Sequence, residues 1–112
     1  MKTREKQIKL NGLTFRYRET GEPAAPPIVT LHALGKNAAS WDQAAAVLGG
    51  EYRVLALDQR GHGGSARTGT YTFELMCEDV LHFADAMKLD RFTLMGHSMG
   101  GTVAYLFSET FP

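Results

Sequence analysis

The stretch that most constrains the fold is Gly96-His97-Ser98-Met99-Gly100. The apolar run Phe92-Thr93-Leu94-Met95 leads into it, and a helical pattern from Thr102 to Phe111 leads out. That order predicts a strand, a tight turn and a helix, with a serine at the turn. Such a turn presses backbone against backbone, so the positions two before and two after the serine must be small. Both are glycine, and Gly101 adds a third. Ser98 would then stand at the first turn of a helix, where N–H groups are unpaired and the dipole favours negative charge. A serine oxygen that attacks a carbonyl creates an oxyanion there, and the Met99 N–H can receive it. A plain strand–helix turn is the alternative reading of the same residues.

The rest of the chain supplies elements of the same kind. Ile8 and Leu10 alternate with polar residues, as do Leu13, Phe15 and Tyr17, and Asn11-Gly12 stands between the two runs. This predicts an antiparallel hairpin with a type I′ turn and one buried face. Thr20 to Pro27 reads as a loop. Ile28 to Leu31 is apolar without alternation, as strands buried on both faces are, and Arg53 to Leu57 reads as a second buried strand. Between them, Ser40 and Gln43 match a capping box, and Trp41, Ala44, Ala45 and Leu48 follow at helical spacing. Trp41 reads as a core anchor or, alternatively, a pocket wall. Thr72 can cap a helix to about Lys88 with Phe73, Met76, Val80, Phe83, Ala84 and Met87 inward and Glu78, Asp79 and Asp85 outward. The expected fold is α/β: an opening hairpin, then a mostly parallel sheet of about five strands with helices on both faces.

Charge and cysteine usage remove several function classes. Twelve Lys and Arg balance twelve Asp and Glu, so no electrostatic case exists for nucleic acid or an anionic membrane. The single cysteine, Cys77, forms no intrachain disulfide and reads as a buried, unreactive thiol. The histidines, His32, His62, His82 and His97, include no pair at helical zinc spacing, so neither a metal nor another cofactor is expected. Polar residues Lys2 to Lys6 have no apolar segment behind them to serve as a signal peptide, and no run is long enough to span a bilayer. The expected location is cytoplasmic.

Two further loops fall at the carboxyl ends of strands, where open α/β sheets place their sites. His32-Ala33-Leu34-Gly35 could aim the Leu34 N–H at the oxygen met by Met99. It could equally be a simple strand exit with a hydrogen-bonded histidine. Asp58-Gln59-Arg60-Gly61-His62-Gly63-Gly64-Ser65 contains part of a dinucleotide fingerprint, Gly61-x-Gly63-x-x-Ala66, but the helix that fingerprint needs begins too late. A structural turn tied down by Asp58 and Arg60 is the better reading.

Taken in order, His32-Ala33-Leu34-Gly35, Asp58-x-Arg60-Gly61-x-Gly63-x-Ser65 and Gly96-His97-Ser98-Met99-Gly100-Gly101 resemble the α/β-hydrolase fold family. The match runs from Ile8 to Pro112, and the opening hairpin fits as that family's first two strands. The resemblance implies Ser98 as nucleophile, Leu34 and Met99 N–H groups as the oxyanion hole, with His32 and His97 beside the site, and a small acyl-type substrate above the sheet. Ala33 stands where the family often has glycine. Serine as nucleophile argues against the branches that use aspartate, such as dehalogenases and epoxide hydrolases.

Family order is nucleophile, acid, histidine. The chain is therefore expected to be the N-terminal part of such an enzyme. The acid and base would lie in a missing C-terminal part, and this part alone would be inactive. Its elbow strand is expected to pair with Ile28–Leu31 and to leave an apolar edge open to self-association. A non-catalytic module of the same fold, binding a ligand or a partner, is the competing functional reading.

Overall fold

The computed structural model describes residues 2–111. Strands β1 (Thr3–Leu10) and β2 (Leu13–Thr20) form the opening hairpin. Asn11 and Gly12 both take positive φ, at 52° and 81°, which a type I′ turn requires. Pairing extends to Thr3↔Thr20, beyond the alternating runs that signalled it. The remaining elements are β3 (Pro27–Leu31), a 3₁₀ turn (Ala38–Trp41), α1 (Asp42–Leu48), β4 (Arg53–Leu57), α2 (Phe73–Ala86), β5 (Thr93–Gly96) and α3 (Met99–Thr110).

The five strands form one sheet in the order β1-β2-β4-β3-β5. The sheet is mixed: β4, β3 and β5 are parallel, and the hairpin joins antiparallel to β4 through β2. Strand alternation separates two faces. Phe15, Tyr17, Val29, Leu31, Leu55 and Leu57 share the main core with Met76, Val80 and Phe83 of α2 and Val103 and Phe107 of α3. Ile28, Val54 and Ala56 lie on the opposite face. Arg18, opposite Ala56, reaches there to Asp42 at the start of α1, with nitrogen–oxygen distances of 2.9 Å. Helices therefore cover both faces.

Local chemistry differs from the sequence expectations at four places. Asn37 caps the 3₁₀ turn, its side chain accepting from Ala39 N, Ser40 donates to the Asn37 carbonyl, and α1 itself follows Trp41 with no side-chain cap. The chain enters as a tight 3₁₀ turn, so a capping box has no α-helical first turn to act on. Trp41 is half-buried and stands outside the core cluster. Asp79, expected outward, is buried because Arg60 comes to it from the preceding loop. Phe73, expected inward, is the first residue of α2 and is exposed, outside the core cluster. Thr72 caps α2 as expected, its side chain accepting from Leu75 N.

β5 sits at the sheet edge and is half-exposed, although the run Phe92 to Met95 reads on its sequence as a third buried strand. It pairs with β3, and its other edge has no strand partner among the described residues. No helix of the described residues is long and apolar enough to cross a membrane.

Candidate active site

The elbow is built by steric exclusion. Ser98 takes φ 56° and ψ −114°, a region that side chains rarely occupy, and α3 begins at the next residue. A Cβ at Gly96 would run into the carbonyl group of Gly100, and a Cβ at Gly100 would run into the Leu31 carbonyl at the end of β3. Both glycines are therefore required for the turn to close. Gly101 is a looser position, where a Cβ would meet Gly96 O at an ordinary 3.4 Å. The His97 N–H donates to Leu31 O at 3.1 Å, and the Gly100 N–H donates to His97 O at 3.0 Å. The turn is thus bonded both to itself and to the neighbouring strand.

The register of β3 against β5 brings the next segment to the same place. Leu31 lies opposite Gly96, the last pair of the ladder. Leu34 stands three residues beyond Leu31, and Met99 three residues beyond Gly96. Ser98, Leu34 and Met99 line one open cavity of about 920 Å³, together with Gly61, His62, Tyr71, Phe73, Met76 and Thr102. Neither the Leu34 N–H nor the Met99 N–H donates to an acceptor among the described residues. A strained, exposed serine therefore shares one cavity above the carboxyl end of the sheet with two residues whose backbone amides have no acceptor among the described residues. Tyr71, in that cavity, was not singled out from the sequence, and Phe73 was read there as core. The signal was their place, at the junction between the glycine-rich loop and the helix cap, on the site's side of the sheet.

The other two residues named from the sequence are placed differently. His32 is fully buried. Its Nδ1 donates to the Ala33 carbonyl at 2.9 Å and its Nε2 accepts the Gln59 N–H at 3.0 Å. Burial pushes its pKa below the ordinary histidine value, a push only partly opposed by the Ala33 carbonyl. The ring is neutral and both nitrogens are engaged. His97 is exposed and does not line the cavity, because neighbouring residues at the elbow diverge. His62 does line it, with Nε2 accepting the Gly35 N–H at 3.1 Å and Nδ1 donating to the Arg60 carbonyl at 3.0 Å.

The loop from Asp58 to Ser65 is a scaffold. Asp58 is buried and accepts from Arg16 Nε at 2.8 Å, Ala38 N at 2.7 Å and Gly64 N at 3.0 Å. Arg60 forms a two-pronged pair with Asp79 at 2.7 and 2.8 Å, which holds its guanidinium above the ordinary arginine value. The Gly61 N–H closes the loop on Ala66 O at 2.8 Å. These contacts fit the structural-turn reading of the segment. Cys77 is buried and its thiol is pushed up by burial, which suits an inert side chain. Among the described residues, no three His, Cys, Asp or Glu side chains gather as metal ligands do.

Comparison with known proteins places this geometry in context. A family model described as alpha/beta hydrolase fold matches residues 26–112. Epoxide hydrolase 4 of Mus musculus is 33% identical over 109 residues, covering 95% of this chain and 30% of its own length. The 3-oxoadipate enol-lactonase 1 of Acinetobacter baylyi is 37% identical over 93 residues, covering 83% of this chain and 35% of its own. Among solved structures, a membrane phospholipase A described as a bacterial virulence factor superposes with a TM-score of 0.95 at 31% identity. That superposition covers 98% of this chain and 36% of the other. The chain thus spans about a third of the length of the proteins it matches.

Proposed function

The chain belongs to the α/β-hydrolase fold family, and on that premise we propose that it carries the nucleophile and oxyanion donors of a serine hydrolase. The carrying observation is that Ser98 shares its cavity with Leu34 and Met99, whose N–H groups have no acceptor among the described residues. In this reading Ser98 Oγ attacks the carbonyl carbon of an ester or other acyl-type small molecule. The carbonyl oxygen becomes an oxyanion between the Met99 and Leu34 N–H groups. Five apolar or aromatic side chains, Leu34, Tyr71, Phe73, Met76 and Met99, line the cavity, and among the described residues no carboxylate, lysine or arginine does. That lining favours an uncharged, apolar acyl group. Hydrolysis of a lactone or a phospholipid ester fits this site better than epoxide opening, because only carbonyl attack generates an acyl oxyanion for the two amides to meet.

The proton on Ser98 needs a base. His32 and His62 each have both ring nitrogens engaged in bonds that hold the loops, so neither serves. A histidine oriented by a carboxylate, supplied by further chain that adds to the open edge of β5, would take the proton and return it to the leaving group. The 112-residue chain by itself is accordingly expected to turn over no unactivated ester, since loss of the base costs about 10⁴-fold or more.

The test is labelling by a fluorophosphonate in the protein at its natural length, beside a Ser98→Ala control. Labelling that disappears in the control supports the assignment. An unlabelled protein that still binds small apolar ligands would support the non-catalytic module instead.

A further inference from the structure

The Leu34 amide lies on a loop with little packing of its own: Leu34, Gly35, Lys36 and Asn37 are all exposed. Leu34 itself is 72% exposed, so its side chain does not anchor the backbone. What holds the loop comes from a different segment. The Gly35 N–H donates to His62 Nε2 at 3.1 Å, across 27 residues of sequence. His62 is in turn held by its Nδ1–H on the Arg60 carbonyl, and Arg60 is locked by Asp79. On the other side of Leu34, the Ala33 carbonyl accepts from His32 Nδ1 and from the Lys36 N–H at 3.0 Å. The two imidazoles lie with ring centroids 4.8 Å apart. The peptide groups on both sides of Leu34 are therefore bonded to a histidine, and His62 reaches Gly35 from the adjacent loop.

We infer that His62 is a positioning residue for the oxyanion site: by accepting the Gly35 N–H it fixes the direction in which the Leu34 N–H points. The inference rests on the reading of Ser98 and Leu34 given above. His62 neither gives nor takes the reacting proton, because both of its nitrogens are already committed. Its contribution is geometric, and a donor displaced by about 1 Å loses on the order of 10²-fold in rate.

The experiment uses the protein at its natural length with a neutral ester substrate and three variants. His62→Leu removes the acceptor. His62→Gln places an amide oxygen near the position of Nε2. His62→Asn carries the same group one methylene short. Expected results are a kcat for His62→Leu about 10²-fold down with KM within about twofold, recovery of most of kcat in His62→Gln, and little recovery in His62→Asn. The last pair keeps the test available where His62→Leu does not fold. A His62→Leu enzyme with unchanged kcat would overturn the inference, as would equal losses in the Gln and Asn variants. Ser98→Ala separates the two levels: retained turnover there sinks the nucleophile assignment itself, whereas lost turnover with an indifferent His62 sinks only the positioning role.

Discussion

The Met99 and Leu34 amides each stand three residues beyond the same register pair, Leu31↔Gly96, yet they are fixed by opposite means. Around Met99 the backbone is held by what is missing: side chains at Gly96 and Gly100, whose absence lets α3 press onto the end of β3. Around Leu34 it is held by what is present: His32, His62 and Gln59, which reach in from buried or distant positions, with Gln59 Nε2 donating to the His32 carbonyl at 2.9 Å. One half of the proposed oxyanion site is a local steric fact. The other is a network whose members are far apart in the chain. A steric turn fails by collision, and a network fails when any remote anchor is withdrawn.

Withdrawing the deepest anchor should give the largest effect. Asp79→Ala leaves the Arg60 guanidinium buried without its partner, and removing one member of a buried pair costs about 3–5 kcal/mol. Urea denaturation measures it. A loss of under about 1 kcal/mol would show that the loop does not depend on α2. The elbow comes next. Gly100→Ala forces a methyl group against the Leu31 and His32 carbonyls, at a cost of about 1–3 kcal/mol. Equal tolerance of alanine at positions 100 and 101 would break the comparison on its steric side.

The network alone should respond to mild acid. His32 is held below its ordinary pKa, so the unfolded chain takes up a proton more readily than the folded one. The stabilisation from the neutral ring is complete above about pH 6.5 and is lost as pH falls toward the folded value. Thermal melts from pH 7.5 downward should show this slope, and His32→Gln should flatten it. A wild-type slope identical to that of the variant would assign the acid sensitivity elsewhere. The smallest effect belongs to Gly101→Ala, within about 0.5 kcal/mol of wild type, because its Cβ meets only ordinary contacts.

Much of this fold was legible before any coordinates. Asn11-Gly12 between alternating runs specified the hairpin, and the runs Ile28–Leu31 and Val54–Leu57 specified central strands. Those signals are local, with turn geometry and pleat period both encoded within a few neighbouring residues. Ser98 was legible for the same reason, since the glycines that permit its backbone lie two positions away on each side. The sequence erred where a partner from far away changed the meaning of a residue. Asp79 reads as a solvated carboxylate until Arg60 arrives, and Phe73 reads as core but lines the open cavity instead.

The sequence by itself therefore determined the elements, the hairpin turn and the elbow, because each is decided by sterics and periodicity over a handful of adjacent residues. Only the tertiary structure decided that Leu34 and Met99 face one cavity and that His32 and His62 are spent on holding loops. Those outcomes depend on strand order and on hydrogen bonds spanning 27 residues, and no local pattern carries that information.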